Sequence, residues 1–159
     1  MAQVKTLDPV AVPRGQGDAR WWMGNLAEIK VTAAETGGLL TVVEITEGPG
    51  AGGPLHVHHR EDEAFWILEG SATFEVGEEV IEAGPGDFLF GPRDVPHRYT
   101  AGPDGCRMLF VFTPGGFEEL LLATSEAARE RTLPPPSAEE PDFEALLPII
   151  HKYGCEVLG

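Results

Sequence analysis

Between Asn25 and Thr113 apolar and polar residues alternate in short runs: LAEIKVT, LLTVVEITE, EAFWILEG, SATFEV, EEVIEA, DFLFG, PHRYTA and CRMLFVFT. A period of two belongs to strands, whose successive side chains point to opposite faces. Turn formers separate the runs: Thr36-Gly37-Gly38, the loop from Gly48 to Pro54, Gly70, Gly77, Gly84-Pro85-Gly86, Gly91-Pro92 and Gly102-Pro103-Asp104-Gly105. Eight short strands punctuated in this way predict an all-β sandwich or barrel.

The flanks differ in character. Residues 1–22 mix Pro, Gly, Asp and Arg without period and read as an extended arm that ends at Trp21 and Trp22. The barrel is expected over residues 23–114, and residues 115–159 read as a helical tail. Phe117 to Arg131 carries Leu, Ala, Glu and Arg at helical spacing until Pro134-Pro135-Pro136 ends it. A second helix is expected from Asp142 to Tyr153, with Asp142 as N-cap, Gly154 as stop and a kink or restart at Pro148. These helices are expected to pack on the barrel or on a second subunit.

Composition narrows the partners. The 159 residues carry 26 acidic against 11 basic side chains, a formal charge of −15, which repels phosphate backbones and anionic lipid surfaces. Neither nucleic acid nor membrane is an expected partner. The longest apolar runs, such as Met108 to Phe112, fall far short of the ~20 residues of a membrane span, and the start has no apolar signal core. A cytoplasmic location is therefore expected. Cys106 and Cys155 lie far apart in no metal-like spacing and read as free thiols. Gly50-Ala51-Gly52-Gly53-Pro54 lacks the Lys-Ser/Thr and the following helix of a phosphate cradle, so it reads as a loop feeding a strand.

Four of the five histidines fall in two windows, PLHVHHREDEAF and PRDVPHRYT. On a strand His56 and His58 share a face while His59 points away. Glu63 opens the next strand, where its carboxylate can reach the same centre, and His97 begins another strand just after Pro96. Glu61 and Asp62 are its competitors, but they fall in a polar turn and read as a solvated face. Three imidazoles and a carboxylate suit one divalent first-row metal per chain, Fe, Mn, Co, Ni, Cu or Zn, with positions left for water, oxygen or substrate. Phe65 and Ile67 share the face of Glu63, and Tyr99 shares that of His97, so these three are the expected walls of a substrate pocket. Trp21, Trp22, Phe65, Trp66, Phe88 and Phe90 read as core by default. His151 and Tyr153 read as packing or surface groups. Met108, Phe110 and Phe112 share one face of the last strand, and alternation alone leaves open which face is inward.

Residues 50–70 read Gly50, five residues, His56-Val57-His58, four residues, Glu63, six residues, Gly70, and match the first cupin motif at every spaced position. Residues 86–97 read Gly86-Asp87, four residues, Pro92-Arg93-Asp94, two residues, His97, and resemble the second motif. The second match is partial, since the family often has Gly where Asp94 stands and Asn where Ala101 stands. The late segments GGFEE and KYGCEVLG look like the tail of small quercetinase-like bacterial cupins. The resemblance implies a jelly-roll barrel with the metal inside its mouth, held by His56, His58, Glu63 and His97. It also implies a dioxygenase that acts on a small aromatic or enolic substrate, in which Glu63 is either the fourth ligand or, swung off the metal, the catalytic base, and a homodimer. The alternatives are a metal-dependent enzyme without redox chemistry, such as a polyketide cyclase, isomerase or lyase, and a cupin that binds a small ligand without turning it over.

Overall fold

In a computed structural model, residues 6–137 and 142–159 are described, so the first five residues of the arm and residues 138–141 of the tail lie outside the described residues. The elements in chain order are β1 (Asp18–Trp22), β2 (Asn25–Val31), α1 (Ala33–Thr36), β3 (Thr41–Glu47), β4 (His56–His58), β5 (Asp62–Val76), β6 (Glu79–Ala83), β7 (Phe88–Gly91), β8 (His97–Thr113), α2 (Glu118–Ala123), β9 (Glu126–Ala127), α3 (Phe143–Lys152) and β10 (Cys155–Val157). All strand pairs are antiparallel; the sheet runs β10-β4-β8-β3-β2-β1-β9, while β5 joins β8 and carries β6 and β7. The sheet curls into a barrel, one of the two architectures the alternation predicts, and it is the jelly roll that the cupin resemblance implies.

Two pairs of expected strands are fused. EAFWILEG and SATFEV form the single strand β5, and PHRYTA and CRMLFVFT lie within β8. Gly70 bends β5 without ending it: the register against β8 slips on either side, and Gly70 has φ +74. A Cβ at Gly70 would lie 2.1 Å from the Gly105 carbonyl oxygen, so only glycine lets the two backbones cross this closely.

Much of the inward face of the long strands is apolar: Phe65, Ile67 and Phe74 of β5, Met108, Phe110 and Phe112 of β8, and Val43 and Ile45 of β3 are all buried. Trp66, Phe88 and Phe90 are not core; they are 49, 60 and 55% exposed on the outer face. The pleat explains the correction, because Trp66 pairs with Phe88 and Ala64 with Phe90, while the intervening Leu89 takes the inward position. Trp21 and Trp22 are half-buried, and the arm that leads to them ends in β1, paired along its length with β2.

The tail differs from expectation in two places. The helix read over 117–131 stops at Ala123, and β9 pairs with Arg20 and Trp21 on the free edge of β1. There the Trp22 Nε1–H donates to Thr124 Oγ1 at 2.8 Å and the Arg20 guanidinium to Ser125, so edge pairing and side-chain hydrogen bonds outweigh helix propensity. At Pro148, by contrast, α3 continues without restarting. Packing of Phe143, Leu146, Ile149 and Ile150 on the core offsets the hydrogen bond that proline cannot make. The Asp142 carboxylate accepts the Ala145 N–H at 3.1 Å, as an N-cap does. After Gly154 (φ +79) the chain returns as β10, which pairs with β4. Both cysteines are free and buried, and no helix among the described residues is long and apolar enough to cross a membrane.

Candidate metal centre

Three strands meet at one end of the barrel. On β4, alternation turns His56 and His58 into the barrel and leaves His59 outside, where its Nδ1 lies 2.6 Å from Asp94 and its Nε2 3.2 Å from Glu156. His97, the first residue of β8, pairs directly with His56, and Glu63 projects from the start of β5. One donor atom from each of His56, His58, Glu63 and His97 can be chosen so that all four lie within 4.8 Å of one another. The rings crowd accordingly, with centroids 4.5 Å apart for His56 and His97 and 5.0 Å for His56 and His58.

The outer nitrogens fix how the rings point. His56 Nδ1–H donates to the Pro54 carbonyl at 2.9 Å and His97 Nδ1–H to the Val95 carbonyl at 3.1 Å, which leaves Nε2 of each ring to face inward. Glu63 Oε2 lies 2.9 Å from His97 Nε2 and 3.2 Å from His58 Nε2. Two unprotonated ring nitrogens and a carboxylate at such distances repel one another unless a cation lies between them. A shared proton can supply it, and a divalent metal satisfies all four groups together, so the donor set fits a metal of the histidine-and-carboxylate type.

The electrostatics of the metal-free centre follow from burial and from these contacts. Burial would raise the Glu63 carboxyl, yet His58 and then His97 hold it well below the usual carboxylate range. Burial opposes protonation of His58, but contact with Glu61 and Glu63 outweighs it and pushes the ring up to about 9. For His56 burial, reinforced by the His97 and His58 rings, outweighs the raising effects of Glu63 and the Pro54 carbonyl and pushes the value down to about 4. His58 and Glu63 thus favour each other's charged forms.

The pocket above the centre has walls of Trp22, Phe110, Phe117 and Phe143, with Met23, Leu120, Ile150, Cys155 and Val157 between them. Asn25 and Tyr99 are its polar groups besides the four donor residues, and no lysine or arginine is among the described residues that line it. Of the three expected walls only Tyr99 is one. Phe65 and Ile67 do face inward with Glu63, but they are sealed in the core beneath the pocket, where Phe65 packs on the His97 ring at 6.0 Å. Much of the actual wall comes from the β1–β2 hairpin and from α3 and β10, which sequence patterning left unplaced. The apolar spacing of FEALLPIIH was its visible signal.

Glu61 corrects another expectation. It is 5% exposed, not solvated, because the C-terminal segment covers its turn: His59 N–H donates to the Gly154 carbonyl and the Arg60 guanidinium to the Lys152 carbonyl. Asp62 is partly exposed and forms a two-pronged pair with Arg93.

Below the pocket the Tyr99 hydroxyl donates to Glu47, a buried carboxyl whose second oxygen has no hydrogen-bond partner among the described residues. Burial pushes Glu47 up to about 7 from its ordinary 4.5, against the lowering effect of the Tyr99 hydrogen bond. The folded chain therefore keeps a proton there that the unfolded chain has released, and stability is lost as pH rises from 4.5 through 7. The difference amounts to about 3 kcal/mol. Chemical denaturation at pH 5 and at pH 8 is expected to show a steeper loss of stability in the wild type than in Glu47→Gln; identical pH dependence in the two proteins would contradict it.

Comparison with known proteins agrees with this geometry. The family described as "Cupin domain" matches residues 43–112, the span that holds all four donor residues. This segment is a cupin domain. Quercetin 2,3-dioxygenase of Bacillus subtilis is 32% identical over 123 residues, which cover 74% of this chain and 36% of that protein. The structure of oxalate decarboxylase from Bacillus subtilis, described for its Mn(II) centres, superposes with a TM-score of 0.62 at 27% identity, covering 77% of this chain and 33% of that one. KdgF from Halomonas superposes with a TM-score of 0.63 at 20% identity over 70% of this chain and 99% of that one, a likeness of fold. The chain thus spans about a third of the quercetin dioxygenase.

Asp94 stands where cupins often have glycine, and the structure gives the reason for that preference: Asp94 has φ +63, in the left-handed region, while its N–H donates to the His58 carbonyl at 2.8 Å. Aspartate tolerates this conformation better than most residues, and here its carboxylate also holds His59.

Proposed function

We propose that the protein is a metal-dependent dioxygenase acting on a small aromatic or enolic molecule with molecular oxygen. The observation that carries this reading is the union, in one pocket, of three imidazoles and a carboxylate with aromatic and aliphatic walls free of lysine and arginine among the described residues. Taking an anion out of water is costly unless a cation receives it. Such walls favour a largely neutral planar molecule over a dianion such as oxalate. The 32% identity to a quercetin dioxygenase supports the same direction.

His56, His58 and His97 would hold the metal, with Glu63 as fourth ligand. When bound, a divalent transition metal there supplies Lewis acidity toward an enol or phenol oxygen and, if redox-active, a path for electrons between substrate and oxygen. The chain's own residues do the rest. Glu63, buried beside the donor rings, is placed either to stay as a ligand or to turn from the metal and take the substrate's hydroxyl proton on its carboxylate. Trp22, Phe110, Phe117 and Phe143 orient a planar ring and exclude water from reactive species. The test is an oxygen electrode with the metal-loaded protein and a panel of flavonols, catechols and 1,3-diketones. Metal-dependent oxygen uptake with at least one member is expected; no uptake with any member would overturn the reading.

The buried Glu63 carboxylate beside the donor rings favours a second reading, in which the same base serves isomerisation, cyclisation or elimination without oxygen. Turnover of a panel member under anaerobic conditions would select it, and stoichiometric binding without turnover would select a ligand-binding role. Two further elements belong to the proposal. The free, buried Cys106 and Cys155 support a reducing, cytoplasmic setting. The exposed aromatic face of Trp66, Phe88 and Phe90 supports a homodimer, for which light scattering is expected to give twice the 17.1 kDa chain mass.

A further inference from the structure

The three histidines of the centre are not held alike. The Nδ1–H groups of His56 and His97 each donate to a main-chain carbonyl two residues earlier, Pro54 and Val95. His58 has no such carbonyl. Its Nδ1 faces Glu61 Oε2 at 3.5 Å, and neither atom has a hydrogen-bond partner among the described residues. Burying a carboxylate to 5% exposure is costly, and the usual compensation is a cation or several hydrogen bonds. The nearby guanidinium of Arg93 adds charge attraction at a distance but no hydrogen bond to Glu61, since its hydrogen bonds go to Asp62 and to the Thr113 carbonyl. The Arg60 side chain is tied to the Lys152 carbonyl. What Glu61 meets in the interior is the outer edge of a ring whose inner edge faces Glu63.

We propose that Glu61 is a positioning residue of the metal centre. Its carboxylate accepts the His58 Nδ1–H, fixes which nitrogen of His58 faces inward, and makes this ring a stronger donor to a metal than its two carbonyl-backed neighbours. The proposal rests on the reading of the four-residue cluster as a metal site and assigns one ligand's orientation and strength to a side chain outside that cluster. Outer partners of this kind contribute roughly ten- to a hundredfold in metal affinity. The carbonyl-backed rings are set by the path of β4 and β8, whereas the backing of His58 depends on the C-terminal segment that covers the Glu61 turn. The segment that walls the pocket and the backing of His58 are thereby joined in one piece of structure.

The test uses the full chain loaded with Zn2+ and measures two quantities in the wild type, in the isosteric Glu61→Gln and in Glu61→Asp, which keeps the charge. Competition with a chromophoric chelator gives the zinc dissociation constant, and long-range 1H–15N spectra of the histidine rings report each Nδ1–H. Expected are a weakening of zinc binding by tenfold or more in Glu61→Gln with partial recovery in Glu61→Asp, and a shifted Nδ1–H signal for His58 alone. An unchanged zinc constant in Glu61→Gln, or equal shifts at all three rings, would overturn the proposal, because the first denies any coupling and the second describes general loosening. A wild type that binds no zinc or other divalent transition metal would overturn the metal-site reading itself, and the proposal with it.

Discussion

Replacing His97 by alanine is expected to weaken binding of a divalent transition metal by far more than a hundredfold. The reasoning is comparative: groups that only support a ligand contribute about ten- to a hundredfold, and His97 is a donor residue of the cluster, held through Nδ1 on Val95 and facing Glu63 at 2.9 Å. The same loss has a thermodynamic signature. A metal at a thousand times its dissociation constant stabilises the wild type by about 4 kcal/mol through mass action. This increment is expected to vanish in His97→Ala, whatever the change in stability of the metal-free protein, because each protein is compared with itself with and without metal. Chelator competition and thermal melts with and without Co2+ or Zn2+ check both statements. A variant that binds as tightly as the wild type would remove His97 from the centre.

The floor itself is the subject of the second large effect. Phe65 is 1% exposed and packs on Phe74 at 4.9 Å, on Phe110 at 5.1 Å and on the His97 ring at 6.0 Å. Phe65→Ala removes a ring from a site enclosed on all sides by the barrel, so little of the space can be recovered, and a loss of about 3–5 kcal/mol is expected. Domains of this kind are stable by roughly 5–15 kcal/mol, which makes the change a large share of the whole. Urea denaturation of the metal-free proteins measures it. Metal affinity is expected to fall as well, because the ring that backs His97 is gone. A loss under about 1 kcal/mol would mean that the floor is not close-packed.

The centre was legible in the sequence because its geometry is local. A period of two puts His56 and His58 on one face and His59 on the other, and four intervening residues carry the chain round to Glu63; the structure keeps this arrangement. The pocket was less legible because distant segments build it. β10 is three residues long and finds β4 only through tertiary pairing, Cys155 opposite His58, so no local pattern announces it. The burial of Glu61 has the same cause: a polar turn reads as solvated until the C-terminal segment folds over it. Trp66, Phe88 and Phe90 illustrate another limit. Alternation states which residues share a face, and the assumption that large aromatics are interior then chose the wrong side of β7, where Leu89 faces the core. At Gly70 the glycine was read as a strand end, although it serves to let β5 and β8 cross closely and continue.

The measurement that tests the central claim most directly is the metal content of the reconstituted protein. The wild type and the His56→Ala/His58→Ala variant are loaded with a divalent transition metal, freed of excess by gel filtration and analysed for metal and protein together. The account predicts one metal ion per wild-type chain and essentially none in the variant. A wild type that emerges without metal, or a variant that retains as much, would contradict it.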